Sequence, residues 1–380
     1  QADGTANVRS YLGLFSPAQQ AYEIEVKGCG LLAPLNPDSG PWERGGISTP
    51  GETVFLQGDP GRVRGLAVNQ WSMQSFMTEG VWPDFGRVVG DLRIEGEALV
   101  GTVRNETAHT LIDVVVVLGN DFVRLGDLPP GKDAPVTMDL PDLTGQRSGP
   151  PLSYRLFEEQ FNRNPSNPNP PPHEAQLKRS VVDSLFQEGG RFGPTLSRVP
   201  SGGRSSQGLA LLAWLDEAPP EVQVAGRMPV QQTTALLYVP LSYRLPDEGG
   251  ISLPPGLIPG ALVEMPREGG PCGPDGTSVW LGRGAAVIEF RLLDGVRDVQ
   301  VDRLKLVIGA DEGNWPPDTA IYDWDAEEWR NLKGSIMGIN VLSDPTGLVR
   351  DDGLVRVRLS SEGNRQGGCF YVELGLEGTR

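Results

Sequence analysis

The chain has 380 residues, more than one hydrophobic core usually organises, and a formal net charge of −16. That charge excludes nucleic acid as a partner, because phosphate binding needs a basic face, and it excludes docking on an anionic lipid surface. Its 50 glycines and 34 prolines favour short strands joined by turns and suppress long helices.

The first region, 8–85, carries strand-like runs at Ala21–Lys27, Thr53–Gln57, Val63–Asn69 and Ser72–Thr78, with a Gly/Pro-rich excursion from Gly28 to Gly51. It reads as an irregular β-module, the first part of a β-sandwich region over 1–140. The second region, 86–140, is the clearest. Asp91–Glu95, Ala98–Arg104, Leu111–Leu118, Phe122–Leu125 and Pro135–Leu140 alternate apolar and polar residues. The alternation breaks at Asn105-Glu106, Gly119-Asn120 and Pro129-Pro130-Gly131-Lys132, then resumes each time. Period two cut by turn residues predicts an antiparallel sandwich.

From 141 to 172 the pattern dissolves into a Pro/Asn-rich connector, since prolines at the density of Asn162–Pro172 block both helix and central strand. The third region, 173–241, begins with the one predicted helix, near 173–187, where Leu177, Val181 and Leu185 recur every four residues before Gly189-Gly190. Leu209–Leu215 is too short for periodicity to separate helix from buried strand. Glu221–Ala225 and Thr233–Pro240 read as a β meander. The last region, 242–380, returns to strands: Ser278–Trp280, Ala286–Leu292, Val299–Ile308, Thr319–Tyr322, Leu354–Leu359 and Phe370–Leu376. The expected fold class is therefore mainly β, a string of antiparallel sandwiches with one short helix.

No run approaches the roughly 18 apolar residues of a membrane span. The chain opens on Gln1 without a signal-peptide pattern, as a processed chain or a segment of a longer one would. Its three cysteines, Cys29, Cys272 and Cys369, allow either separate buried thiols or one bridge. Cys272–Cys369 is the preferred pair, because both lie in the last region.

Chemistry-bearing motifs are sparse. His109 and His173 are the only histidines, and neither has carboxylate or cysteine neighbours at metal-ligand spacing. Both are expected to face solvent. No Walker loop, dinucleotide fingerprint or nucleophile elbow occurs. The sharpest cluster is Asp323-Trp324-Asp325-Ala326-Glu327-Glu328-Trp329. One reading makes Tyr322, Trp324 and Trp329, with Trp315, an aromatic platform for sugar rings, and lets Asp323 and Asp325 hold calcium. The other makes it a hairpin with Trp329 packed into the core. Trp71, Trp82, Trp214 and Trp280 fall in strand contexts and are expected to be buried.

Two stretches carry a resemblance. Gly101-Thr-Val-Arg-Asn-Glu-Thr107, the strand Leu111–Leu118 and Leu125-Gly-Asp-Leu-Pro-Pro-Gly131 resemble bacterial immunoglobulin-like modules. Val301–Ile308, Ile321-Tyr-Asp-Trp324, Glu328-Trp329, Asp344-Pro345 and Asp352–Leu359 look like a galactose-binding-like jelly-roll module. Together they are similar to the extracytoplasmic part of large bacterial membrane-anchored proteins. The resemblance implies no catalytic residues. The expected role is a non-catalytic binding or scaffold region outside the cytoplasm, tethered through parts beyond this segment, with a glycan or protein partner. The alternative is a carbohydrate-binding module or a segment of a carbohydrate-active enzyme.

Overall fold

A computed structural model describes residues 4–34, 53–118, 121–140, 152–158, 173–186, 209–272, 277–292, 299–310, 316–332, 334–361 and 367–380. The protein is mainly β, with two helices among the described residues.

Near the N-terminus two small sheets face one another. One orders Ala6–Ser16, Ser72–Trp82 and Leu31–Pro34; the other orders Glu221–Val224, Gln20–Lys27, Gly61–Val68 and Val54–Leu56. Ile24, Val26, Val63, Leu66, Val68, Phe76 and Val222 fill the space between them. Val63 and Leu66 both reach this core despite being three apart, because the register slips by one residue there and Gly65 adopts a φ of +67°. The strand Ala6–Ser16 was not expected from the sequence. Glu221–Val224 was expected to pair within a meander, and instead it closes the N-terminal sheet against Gln20–Lys27.

The second sandwich joins segments on either side of the connector. Asp121–Leu128, Leu111–Leu118, Ala210–Leu215 and Ala235–Pro240 form one sheet. Asp133–Asp139, Ala98–Asn105, Val88–Glu95 and the two-residue strand Tyr243–Arg244 form the other, the last pairing in parallel. Leu111–Leu118 and Ala210–Leu215 are apolar almost throughout because both of their faces are covered. Val114, Val116, Leu118, Leu211 and Ala213 point into the sandwich. Val115, Val117, Ala210, Leu212 and Trp214 point the other way, onto Leu152, Leu156 and Phe157 at the helix Leu152–Leu156 and onto Val182 of the helix His173–Phe186. The first of these helices lies within the predicted connector; 141–151 and 159–172 are outside the described residues.

The turn chemistry of 101–131 is structural. Gly101 has a φ of +146°, and a Cβ there would sit 2.0 Å from the Asp91 carbonyl oxygen. Asn105 is fully buried. Its Nδ2 donates to the carbonyls of His109 and Leu128, each at 2.8 Å, while its Oδ1 accepts from the Thr107 N–H at 2.9 Å and hydroxyl at 2.8 Å. The Pro-Pro-Gly turn completes the lock: Gly131 N–H donates to the Asn105 carbonyl, and Asn105 N–H to that of Lys132. His109 does not simply face solvent. It stacks on Phe85 and touches Trp82, tying the first sandwich to the second.

The third sandwich is one ten-stranded sheet folded into two layers. Ser278–Arg291 belongs to both: Ser278–Leu281 pairs with Gly368–Thr379, and Gly284–Arg291 with Leu354–Ser361. The sequence suggests two strands here, and the structure makes one that changes layer at Gly282–Gly284, where Gly284 has a φ of +105°. One layer continues through Gln300–Ala310 and Gly338–Leu342, the other through Asp318–Asp323 and Glu328–Asn331. Ile288, Phe290, Ile321, Val355, Val357, Leu359, Leu306, Ile308, Val372 and Leu374 meet between them. The buried apolar residues of the second and third sandwiches form one contiguous cluster. Cys272 and Cys369 are joined by a disulfide across 97 residues, and Cys29 is a buried free thiol.

Candidate functional site

The segment 318–331 is a hairpin. Asp318–Asp323 pairs with Glu328–Asn331, Tyr322 lies directly opposite Trp329, and four residues turn the chain between them. Because side chains alternate along a strand, the buried Thr319, Ile321 and Asp323 face the core while Tyr322 and Trp324 face out. Trp329 shares that outer face and is half-buried rather than part of the core.

The three rings meet edge to face. Tyr322 lies 4.8 Å from Trp324 at 72° and 5.2 Å from Trp329 at 74°. Guanidinium groups then cover the tryptophans: Arg350 at 4.6 Å and Arg356 at 5.2 Å over Trp324, and Arg358 at 4.6 Å over Trp329. Arg356 and Arg358 come from the neighbouring strand Leu354–Ser361, where alternation puts them outward between the buried Val355, Val357 and Leu359. The outcome is a ladder of aromatic rings and cations on one sheet face. A flat, open sugar platform would present parallel uncovered rings.

Carboxylates neutralise part of the ladder. Glu289, facing Arg356 across the strand pair, accepts from it at 2.5 Å. Asp352 holds Arg350 through both oxygens, at 2.7 and 2.5 Å, and that pairing lowers the Asp352 pKa and raises that of Arg350. Two donors remain unused. The Arg358 Nε and the Trp324 Nε1 are buried with no acceptor among the described residues.

Asp323 is committed to the turn. Its Oδ1 accepts the N–H groups of Ala326 at 3.0 Å and Asp325 at 3.1 Å, and its Oδ2 takes Arg330. The Ala326 N–H foremost, then Arg330 and the Asp325 N–H, hold this carboxyl below its ordinary range against a smaller opposing effect of burial. The loop that follows is clamped on the same spot. Trp324 N–H donates to the Gly347 carbonyl at 2.7 Å, and a Cβ on Gly347 would lie 2.5 Å from the Asp323 Oδ1 and 3.1 Å from the Asp325 Oδ2. Asp325 is exposed. Among the described residues no three His, Cys, Asp or Glu side chains are grouped to hold a metal ion. Trp315 lies outside the described residues.

The structure thus brings Tyr322, Trp324, Trp329 and Asp323 together and adds Arg350, Arg356, Arg358 and Glu289, which sequence reasoning missed. The available signal was the alternation Val355-Arg356-Val357-Arg358-Leu359, which places two arginines on one strand face. Of the tryptophans expected in the core, Trp214 is buried, but Trp71 is 69% and Trp280 44% exposed.

Residues 87–244 match a family model described as a domain of unknown function (DUF8725), and residues 252–378 a second, also described as a domain of unknown function (DUF8815). These segments correspond to the second and third sandwiches. No curated protein matches the chain. Among solved structures, a chain from the atomic structure of Sulfolobus Turreted Icosahedral Virus is 8% identical, with 98% of this chain and 83% of that one covered and a TM-score of 0.19. A chain of infectious bursal disease virus, Gx strain, is 10% identical, with 99% and 70% covered and a TM-score of 0.18. Likenesses of this size carry no argument about fold or role.

Proposed function

We propose that this chain is a non-catalytic binding or scaffold region of a larger protein, working outside the cytoplasm and tethered to a membrane through parts beyond these 380 residues. One observation carries the reading: Asp323, Asp352 and Glu289 at the candidate site are spent on a turn and on arginines, and among the described residues no acid–base pair is poised in a cleft there. The disulfide Cys272–Cys369 supports an oxidising compartment. No described helix is long and apolar enough to cross a membrane. On this reading the second sandwich is immunoglobulin-like and the third a galactose-binding-like jelly roll, as in bacterial surface proteins. The partner is a protein or a glycan and not nucleic acid, given the net charge of −16. Calcium binding at Asp323 would have to displace Arg330.

The test is thiol trapping of the full-length protein in its host cells, followed by added protease. The reading expects Cys272 and Cys369 oxidised, Cys29 reduced, and this region cleaved in intact cells or after opening of an outer membrane. Reduced Cys272 and Cys369 in quenched cells, or protection until the cytoplasm is opened, would overturn it.

The half-buried rings of Tyr322, Trp324 and Trp329, gathered edge to face on one sheet surface, favour a second reading, a carbohydrate-binding module whose ligand lies against their exposed parts. Affinity electrophoresis through gels containing uronic-acid polysaccharides tests it. Retardation that Arg358→Gln and Trp329→Ala abolish, with folding intact, supports it; equal mobility with and without polysaccharide refutes it.

A further inference from the structure

Four arginines surround the rings of the hairpin, and three of them are satisfied by carboxylates: Arg330 by Asp323, Arg350 by Asp352 and Arg356 by Glu289. Arg358 is the exception. Its guanidinium lies 4.6 Å from the centre of the Trp329 ring, and among the described residues it has neither an ion pair nor a hydrogen bond. Glu264, two strands away by register, makes no ion pair with it.

Stacking fixes which edge of this cation a partner can meet. The Nε is buried, so that edge is closed. The residue as a whole is half-buried, and its two terminal nitrogens do not share the burial of the Nε. They form an end-on fork whose spacing matches the two oxygens of a carboxylate. The tryptophan beneath holds the plane of that fork, so little side-chain freedom is lost when an anion binds.

The surroundings suit a sugar acid. Ala320 pairs with Asn331 on one side and with Arg358 on the other, which sets the exposed Asn331 and the guanidinium in one row of the outer face with only a methyl group between them. Two strand spacings make that row about 10 Å wide, room for one sugar ring held at both ends. Tyr322 and Trp329 occupy the next row and offer the exposed parts of their rings to the apolar face of a sugar. The acids at the hairpin tip, Asp325, Glu327 and Glu328, lie beyond those rings. The net charge of −16 acts on an anion from a distance, but physiological salt screens such fields beyond about 8 Å.

We propose that Arg358 anchors a site for uronic-acid glycans, taking the sugar carboxylate end-on while Asn331 bonds a hydroxyl group and the sugar ring rests beside Trp329. This inference rests on the carbohydrate-binding reading above and narrows it to acidic sugars.

Calorimetric titration of the 380-residue chain with oligomers of galacturonic, glucuronic and mannuronic acid, each also as its methyl ester, tests it. One of the acids should bind at least about tenfold more tightly than its ester, the scale of a charge-assisted hydrogen-bonded pair. Arg358→Gln should erase that ratio and Arg358→Lys should restore part of it. Arg64→Gln, which alters an exposed arginine of the N-terminal sandwich, should leave it unchanged. The comparison of acid with ester needs no variant, so it does not depend on the folding of any. Equal affinity for acid and ester, or binding of neutral glucan oligomers alone, overturns the inference and leaves the carbohydrate reading standing. Binding of none of these sugars overturns both. A ratio that survives Arg358→Gln or falls equally in Arg64→Gln overturns the inference, as does equally tight binding of glutamate oligomers.

Discussion

Replacing Asn105 by alanine tests whether the turn motif of the second sandwich is a structural lock. The amide makes four hydrogen bonds in a fully buried site, two given to the carbonyls of His109 and Leu128 and two received from Thr107. Asn105→Ala removes all four. The Thr107 hydroxyl retains the His109 carbonyl at 3.1 Å and so keeps a partner, whereas the Thr107 N–H is left without one. Three uncompensated bonds at about 1 kcal/mol each, with the desolvation penalty of the orphaned N–H, put the loss near 3–4 kcal/mol. In a sandwich of this size each kcal/mol moves the midpoint by roughly 2–4 °C, so scanning calorimetry should show the transition of this unit falling by about 6–16 °C. Asn105→Asp serves as the companion. It keeps the acceptor, loses both donors and brings a carboxylate into a dry site, so burial raises its folded pKa and its defect should ease on acidification, when the protonated acid donates one bond. A loss below about 1 kcal/mol for Asn105→Ala would show that neighbouring groups or water replace the amide, and would refute the reasoning.

Three other outcomes follow from the same structure. The Tyr243 hydroxyl is buried with no partner among the described residues, so Tyr243→Phe should raise stability to chemical denaturation by about 1 kcal/mol, and a loss would contradict this. Cys272→Ser with Cys369→Ser opens a loop of 97 residues and should cost the third sandwich up to about 4–5 kcal/mol by the chain-entropy account; an unchanged melting curve would contradict it. Asp323, Asp352 and Glu377 have pKa values held below the ordinary carboxylate range, by the Ala326 N–H, by Arg350 and by Lys305 respectively. Their contribution is full above the unfolded pKa near 4 and is lost as pH falls through the lower folded values. The melting point of the third sandwich should therefore decline below about pH 4, and less steeply in Asp323→Asn.

What the sequence revealed follows the range of the forces involved. Alternation along Ala98–Arg104 and Leu354–Leu359 is a local pattern, so those strands and their inward faces could be read directly. The helix His173–Phe186 was equally plain from its four-residue spacing. Leu209–Leu215 was ambiguous because a strand buried on both faces loses its alternation, and the helices that cover its outer face come from 152–182. Ala6–Ser16 escaped notice for the opposite reason: Tyr11 and Phe15 point outward while Leu12 and Leu14 point in, and apolar residues on both faces erase the period.

The candidate site shows the same limit in its chemistry. Acids and tryptophans clustered at 323–329 mark a place, and the hairpin follows from the turn they form. Whether the rings are open to a ligand depends on Arg350, Arg356 and Arg358, which no spacing within the hairpin predicts. Arg356 and Arg358 arrive because Ala320 pairs with Arg358 and Ile321 with Val357, a register set by which residues of each strand must face the core. Moving Leu354–Ser361 by one residue would bury Arg356 and Arg358 and expose Val355, Val357 and Leu359. The hydrophobic pattern that builds the third sandwich is therefore also what places the cations over the tryptophans, and any ligand for this face must compete with, or complete, contacts that folding has already made.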